Sequence, residues 1–137
     1  KMMVYGNDYD TRDGSCIRDF VHVSDIAHAH TLAIQYLEQD KTDALCEVFN
    51  RGTGNGVIVL EAIQSFEKVG GVKLNYEIGP RRNGDVIAIY ANNNLAKEKL
   101  GWNPQFSLDQ MMLTAWEWEQ RLKADDTIFS GKPKELN

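Results

Sequence analysis

The spacing of apolar residues along the chain predicts short strands that alternate with helices. Residues 2–6 and 16–23 are predicted strands, and the polar loop between them is rich in Asn, Asp and Gly, which favour turns. Helical spacing follows, and Ser24 or Asp25 is predicted to cap the first helix. The apolar stripe of that helix consists of Ile26, Ala29, Ala33 and Leu37.

The alternation continues through the middle of the chain. Residues 48–50 form a predicted strand, followed by a glycine-containing loop at 51–56. A second helix is predicted to end at Gly70-Gly71, because glycine accepts the backbone conformation that terminates helices. The apolar residues of this helix are Val59, Ile63 and Phe66. Residues 73–78 alternate in polarity and are predicted to form a further strand.

Two more helices are predicted near the end of the chain. The first is short, begins at residues 92–94 and ends at Gly101. Ser107 and Gln110 have the spacing of a capping box, and the helix that they open runs to about Leu122. Its apolar side consists of Leu108, Met112, Ala115 and Trp116.

This order of elements predicts an α/β fold with few short strands and about four helices. We expect one small domain at 1–123 and a polar, disordered tail at 124–137. The chain opens directly on a strand, so we also expect that it is truncated on its N-terminal side.

Composition and charge narrow the class of protein. The chain has 137 residues, of which 42% are hydrophobic and 26% charged, as in ordinary globular domains. Its formal net charge of -5 argues against nucleic acid or an anionic membrane as the main partner. No apolar run is long enough to span a membrane. Cys16 and Cys46 lack metal or redox spacing, and two free thiols predict a reducing, cytoplasmic location.

The loop at 52–56 resembles a dinucleotide-binding glycine motif but departs from it. Val57 stands where the third glycine would be, and no acidic residue follows at the required distance. A tight structural turn is therefore the preferred interpretation.

No catalytic or metal-binding set stands out. His28 and His30 are two residues apart on a predicted helix and point away from each other, and no cysteine or carboxylate completes a metal site. Cys16 has no paired base, and no Ser-His-Asp motif is present.

The arginines are candidates for anion binding. Arg18 lies within an apolar strand, and its neighbour Asp19 should face the opposite side. Arg82 lies in a loop beside Gly84. Two guanidinium groups together would bind a pyrophosphate. The alternative is that Arg18 pairs with a buried acid while Arg81 and Arg82 are solvated, and spacing alone leaves both open.

Several ordered motifs occur along the chain, namely VYGNDY at 4–9, DGSCIRDFVHVSDIA at 13–27, VFNRGTG at 48–54, PRRNGDV at 80–86 and LGW at 100–102. A helix bearing Trp116 and Trp118 follows them. Together these features resemble the UDP-glucose 4-epimerase family of extended short-chain dehydrogenases/reductases, and the resemblance covers residues 2 to about 122.

The resemblance implies that the chain is the C-terminal, substrate-binding subdomain, separated from an N-terminal Rossmann domain. That domain would bind NAD and supply the catalytic Tyr and Lys of a Y-x-x-x-K motif, which has no match here. The implied reaction interconverts UDP-glucose and UDP-galactose through a 4-keto intermediate. The piece alone is expected to be inactive, and the full-length enzyme is expected to be a cytoplasmic homodimer.

The resemblance also implies a set of substrate-binding residues. The segment Met3-Val4-Tyr5 matches the uracil site, Arg18 and Arg82 match the pyrophosphate ligands, and Asp85 matches a residue that binds the ribose hydroxyls. Ile89 matches a position beside the sugar. No catalytic, cofactor-binding or metal-binding residue is assigned within the chain.

Two other functions remain open on the sequence. One is a fragment of another NAD-dependent nucleotide-sugar enzyme, a dehydratase or a decarboxylase. The other is a stand-alone nucleotide-binding module without catalysis.

Overall fold

A computed structural model describes residues 1–39 and 44–124, and these form four short strands and four helices. This confirms the predicted small α/β fold. In chain order the elements are β1 (Met2–Tyr5), β2 (Ile17–Arg18), α1 (Val23–Glu38), β3 (Val57–Ile58), α2 (Val59–Gly70), β4 (Tyr76–Gly79), α3 (Asn94–Leu100) and α4 (Leu108–Ala124). The tail is predicted at 124–137; Ala124 is the last residue of α4, and the remaining residues, 125–137, lie outside the described part of the chain.

The strands form two separate sheets of two strands each. β1 and β4 are parallel, with Met2 opposite Tyr76 and Tyr5 opposite Gly79. β2 and β3 are antiparallel, and Ile17 forms a further parallel bridge to Ala88. The end of β1 and the whole of β2 are thereby placed beside the loop at 80–88.

Two predicted strands differ from the structure. The strand predicted at 16–23 is confined to β2, because its partner β3 has only two residues before α2 begins at Val59. The strand predicted at 48–50 is wrong: the described residues 44–56 contain no strand. Val48 is 77% exposed, and Phe49 packs edge-on against Tyr36 of α1, so this segment covers a helix rather than extending a sheet.

The first helix is capped differently from the prediction. Its N-cap is His22, whose Nδ1 accepts a hydrogen bond from the backbone nitrogen of Ser24 at 3.0 Å. Asp25 is 1% exposed, and its carboxylate instead accepts hydrogen bonds from the backbone nitrogens of Gln105 and Phe106. The predicted capping residue therefore joins α1 to the segment that precedes α4.

The other helix ends agree with the prediction. Gly71 and Gly101 follow α2 and α3 in the left-handed conformation. The backbone nitrogen of Ser107 donates to Gln110 and that of Gln110 donates to Ser107, which confirms the capping box before α4.

Two packing units surround the sheets. The core between α1 and α3 contains Trp102, which is fully buried and whose Nε1 donates to the carbonyl oxygen of Asp25 at 2.9 Å. The second unit pairs α2 with α4, where the rings of Phe66 and Trp116 meet edge-on at 5.5 Å. α2 begins directly after β3 and contacts it, and the residues of β1 and β2 face the cavity described next.

Candidate functional site

A cavity of about 210 Å³ opens where β1, β2, the start of α2 and the loop at 80–85 meet. The β1–β4 pairing and the bridge from Ile17 to Ala88 explain its position, because they bring β1 and β2 beside residues that come about 70 positions later in the chain. The lining residues are Met3, Val4, Tyr5, Cys16, Arg18, Val59, Arg82 and Asp85. Two arginines and one carboxylate give this lining a net positive charge in a chain whose formal net charge is -5.

Arg18 and Asp85 form a partly buried ion pair in the wall of the cavity. Arg18 Nη2 lies 2.5 Å from Asp85 Oδ1, and Nη1 donates to the carbonyl oxygens of Ile17 and Val86. The guanidinium is therefore fixed by one charge and two backbone acceptors. Arg18 thus pairs with an acid, as one alternative had it, although the Asp85 side chain is 21% exposed rather than buried and the pair lies in the cavity wall.

The two neighbouring arginines of the 80–85 loop have different surroundings. Arg81 Nε donates to Asp8 Oδ1 at 2.7 Å, and its guanidinium lies over the ring of Tyr9. The Arg82 guanidinium lies 4.2 Å from the centre of the Tyr5 ring and has neither an ion pair nor a hydrogen bond within residues 1–39 and 44–124. Arg82 is thus a cation available to an anionic ligand.

Behind the cavity, Asp85 has a second neighbour. Its Oδ2 lies 3.9 Å from the thiol of Cys16, which is 4% exposed. The hydroxyl of Tyr9 is buried nearby, and burial is the main cause that raises the pKa of Tyr9, followed by the Cys16 thiol and the Asp85 carboxylate. The Tyr9 hydroxyl is therefore a buried potential donor.

The loop at 52–56 does not fit a dinucleotide. A Cβ atom on Gly52 would lie 2.1 Å from the Asp19 carboxylate, and one on Gly56 would lie 2.2 Å from the Ile17 side chain. Asp19 also accepts hydrogen bonds from the backbone nitrogens of Thr53 and Ala91. Gly52 and Gly56 therefore allow close packing of the protein against itself, which agrees with a tight structural turn.

The histidines take structural positions. His22 is buried, stacks on Phe106 at 4.0 Å and lies within hydrogen-bond distance of the Thr114 hydroxyl. Within the described ranges no group of three or more His, Cys, Asp or Glu residues is placed to hold a metal ion.

The cavity brings together six of the seven residues predicted to bind substrate. Met3, Val4, Tyr5, Arg18, Arg82 and Asp85 all line it. Ile89 does not: it is 60% exposed outside the lining, and its backbone nitrogen donates to the carbonyl of Ile17.

Sequence reasoning missed Cys16 and Val59 in the lining. The alternation of side chains along a strand places Cys16 on the same face as Arg18, and this signal could have found it. Val59 begins α2, and only the tertiary structure brings it to the cavity.

A family model places the chain among known enzymes. Residues 1–114 match the family described as GDP-mannose 4,6 dehydratase, and the chain therefore belongs to that family of extended short-chain dehydrogenases/reductases.

Relatives of known name are more specific. Human UDP-glucose 4-epimerase is 45% identical over 118 residues, which are 86% of this chain and 33% of the human protein. A pea bifunctional UDP-glucose 4-epimerase and UDP-xylose 4-epimerase is 40% identical over 133 residues, which are 97% of this chain and 37% of that protein. The predicted resemblance to UDP-glucose 4-epimerases is confirmed.

Solved structures agree with the sequence relatives. The UDP-glucose-4-epimerase from Stenotrophomonas maltophila, with bound NAD and formylated UDP-arabinopyranose, has a TM-score of 0.85 and 40% identity. That match covers 90% of this chain and 36% of the solved one. The enzyme from Bifidobacterium longum, in complex with NAD+ and UDP, has a TM-score of 0.78 and 40% identity, covering 87% and 34%.

The chain spans about a third of the length of these relatives. It corresponds to their C-terminal part. Among the described helices none is long and apolar enough to cross a membrane.

Proposed function

We propose that this chain is the UDP-binding wall of an enzyme that interconverts UDP-glucose and UDP-galactose. The observation that carries the proposal is the unpaired guanidinium of Arg82, which lies beside the Tyr5 ring in a cavity shared with Arg18 and Asp85. In this account NAD and the catalytic groups belong to an N-terminal Rossmann domain outside the chain, because the glycine loop of the chain does not fit a dinucleotide.

The charge of the cavity supports binding of a diphosphate. Charge-assisted hydrogen bonds from guanidinium groups to phosphate oxygens contribute roughly 1.5–3 kcal/mol each. Arg82 can turn to a ligand without breaking an ion pair among the described residues, and it gives up only its contact with the Tyr5 ring. Arg18 must be shared with Asp85, so a diphosphate competes with that carboxylate for it.

The remaining lining residues fit the nucleoside. Met3, Val4 and Tyr5 form an extended strand whose edge and aromatic ring can hold a uracil base by backbone groups and stacking. The carboxylate of Asp85 is an acceptor for two ribose hydroxyls. We assign Ile89 a place beside the sugar, at the outer edge of the site, where its exposed side chain is free to contact a ligand.

This division of labour has a physical reason. A sugar that must present both faces to one hydride acceptor has to be held loosely. The binding energy must then come from the part of the substrate that does not react. A clamp on the uridine diphosphate supplies such energy, and it allows the sugar to turn while the nucleotide stays in place.

A second candidate function is a dehydratase acting on a nucleotide sugar. The description of the matched family, GDP-mannose 4,6 dehydratase, favours it over a decarboxylase or a non-catalytic nucleotide-binding module. The names of the sequence relatives and of the solved structures favour the epimerase. The clamp described here would serve either reaction, since both leave the nucleotide unchanged.

The products formed by the full-length protein test the choice. With NAD present, we expect UDP-galactose to be converted to UDP-glucose with the formula of the substrate conserved. Formation of a product that has lost water would support the dehydratase instead. Absence of turnover together with absence of UDP binding would contradict both functions.

Two further properties belong to the same proposal. We expect the full-length enzyme to be a homodimer, associated mainly through its N-terminal part. We also expect it to be cytoplasmic, because Cys16 and Cys46 are both free thiols. Sedimentation of the full-length protein and its location in fractionated cells test these expectations.

A further inference from the structure

Tyr9, which follows the cavity residue Tyr5 in the chain, has a buried hydroxyl without a hydrogen-bond partner among the described residues. Tyr9 is 5% exposed, and its hydroxyl is the buried side-chain group within residues 1–39 and 44–124 that lacks a partner. Buried polar groups are normally paired, because an unmet hydrogen bond costs about 1–3 kcal/mol. An unpaired hydroxyl beside a proposed binding site therefore calls for an explanation in terms of the site.

The tyrosine ring is held firmly in this position. Its backbone nitrogen donates to the carbonyl of Gly14 at 2.9 Å, and Arg81 covers the ring. Gly6 leaves room for the ring, since a Cβ atom there would lie 2.5 Å from Tyr9 Cε2. The hydroxyl cannot easily turn to solvent to find a partner.

The carboxylate of Asp85 is the acceptor to which we expect this hydroxyl to donate a hydrogen bond. One oxygen, Oδ1, is bound to Arg18 at 2.5 Å. The other, Oδ2, has the Cys16 thiol at 3.9 Å, and a thiol is a weak donor. Burial is the main cause that raises the pKa of Tyr9, and the Cys16 thiol and the Asp85 carboxylate raise it further.

Binding of a diphosphate would change the ion-pair partner of Asp85. When phosphate oxygens take Arg18, Asp85 loses its cation while its side chain remains only 21% exposed. A partly buried carboxylate without a partner is costly, and nearby donors lower that cost. The Cys16 thiol lies 3.9 Å from Asp85 Oδ2, and the Tyr9 hydroxyl is a buried donor without a partner of its own among the described residues.

We propose that Tyr9 and Cys16 are positioning residues that hold the Asp85 carboxylate when the ligand takes Arg18. Binding then exchanges the partner of Asp85, from a guanidinium in front to a hydroxyl and a thiol behind. The carboxylate stays oriented for the ribose instead of following Arg18. This inference deepens the proposed function and rests on it.

The test is a set of substitutions in the full-length protein, with the dissociation constant for UDP measured by calorimetry. Tyr9→Phe removes the hydroxyl and keeps the ring under Arg81. We expect it to weaken UDP binding about three- to tenfold, the effect of one hydrogen bond. Cys16→Ala should weaken binding, whereas Cys16→Ser, which has a similar volume and keeps a donor, should retain most of the affinity.

The decisive comparison repeats Tyr9→Phe in an Asp85→Ala background. If Tyr9 acts through Asp85, the substitution changes the UDP dissociation constant less than about twofold there. An equal loss in both backgrounds, or equal losses for Cys16→Ser and Cys16→Ala, would show a packing role and overturn the inference. Thermal unfolding of each variant separates loss of fold from loss of positioning.

The two levels of the proposal fail in different ways. If the unsubstituted protein does not bind UDP, the proposed function fails and the inference fails with it. If that protein binds UDP and Tyr9→Phe leaves the dissociation constant unchanged, only the positioning role is overturned.

Discussion

Single residues in the 80–85 loop differ in their availability to a ligand. Arg81 and Arg82 are adjacent in sequence, yet the Arg81 guanidinium is bound to Asp8 and lies over Tyr9, while the Arg82 guanidinium lies over Tyr5 and has no ion pair among the described residues. The site therefore depends on which side chains the fold leaves without an ionic partner. The sequence identified the arginines, but it could not distinguish their partners, because those partners lie more than 70 residues away.

The Asp8–Arg81 ion pair predicts a dependence of stability on pH. The hydrogen bond from Arg81 lowers the pKa of Asp8 below its ordinary value of 3.8. The folded pKa therefore lies below the unfolded one. The contribution of this pair is fully present above about pH 3.8 and is lost as the pH falls through the lower, folded value.

An NMR titration of the Asp8 carboxyl group measures this shift. We expect the pKa of Asp8 to rise toward its ordinary value in Arg81→Ala. An identical Asp8 titration in both proteins would mean that the ion pair is absent in solution.

Gly52 should tolerate no side chain. In Gly52→Ala the new methyl group would overlap the Asp19 carboxylate, which also holds the backbone of Thr53 and Ala91. We expect a loss of about 1–3 kcal/mol in the free energy of unfolding. Gly70→Ala is the control, because its methyl group meets only ordinary contacts at 3.5 Å at the end of a helix. It should leave stability unchanged or raise it by up to about 1 kcal/mol.

Denaturant unfolding of both glycine variants gives the result. Equal stabilities for Gly52→Ala and Gly70→Ala would contradict the packing role of the 52–56 loop and reopen a ligand role for it.

Secondary-structure elements were predictable where local chemistry decides them. The glycines after α2 and α3 and the Ser107–Gln110 capping box mark helix ends that the structure confirms. The strands were less predictable, because a strand exists only as far as its partner extends. β2 has two residues since β3 has two, and no sequence pattern near residues 16–23 reports the length of β3.

Asp25 is an example of a residue whose local preference, to cap a helix, is not the role that it has in the structure. Local reasoning makes it a helix cap, but its carboxylate accepts from the backbone nitrogens of Gln105 and Phe106, about 80 residues away. It therefore fixes the approach to α4 against α1. Tertiary contacts outweigh the capping preference here.

Substitution of Asp25 should destabilise the whole chain. Asp25→Ala leaves two backbone donors without an acceptor in a buried position, so we expect a loss of about 2–4 kcal/mol. Asp10→Ala is the matched control, because Asp10 is exposed. It should change the free energy of unfolding by less than about 0.5 kcal/mol. Similar midpoints of denaturant unfolding for the two variants would contradict the role of Asp25 in holding the segment before α4 against α1.

At the scale of the whole molecule, the cavity is open and the chain spans about a third of its relatives. The resemblance predicted which residues would line this cavity in six cases, because long motifs carry tertiary information that periodicity does not. Ile89 falls outside the lining. In the proposed enzyme the sugar lies between this chain and an N-terminal domain. The packing of this chain alone therefore does not define the place of Ile89 beside the sugar.

An open cavity should bind its ligand weakly in isolation. High-affinity sites bury most of a small ligand, and the 210 Å³ cavity is smaller than a typical complete site. We expect the 137-residue chain to show weak or no binding of UDP. Micromolar affinity in a calorimetric titration would contradict the view that a second wall is required.

The central claim is that Arg82 is an anion ligand and Arg81 is not. The most direct test is the Michaelis constant for UDP-galactose of the full-length enzyme with Arg82→Ala and, as the matched control, Arg81→Ala. We predict a rise of about 10- to 100-fold for Arg82→Ala, corresponding to the loss of a charge-assisted hydrogen bond, and a change within about threefold for Arg81→Ala. An unchanged Michaelis constant in Arg82→Ala would contradict the assignment of this cavity to the nucleotide.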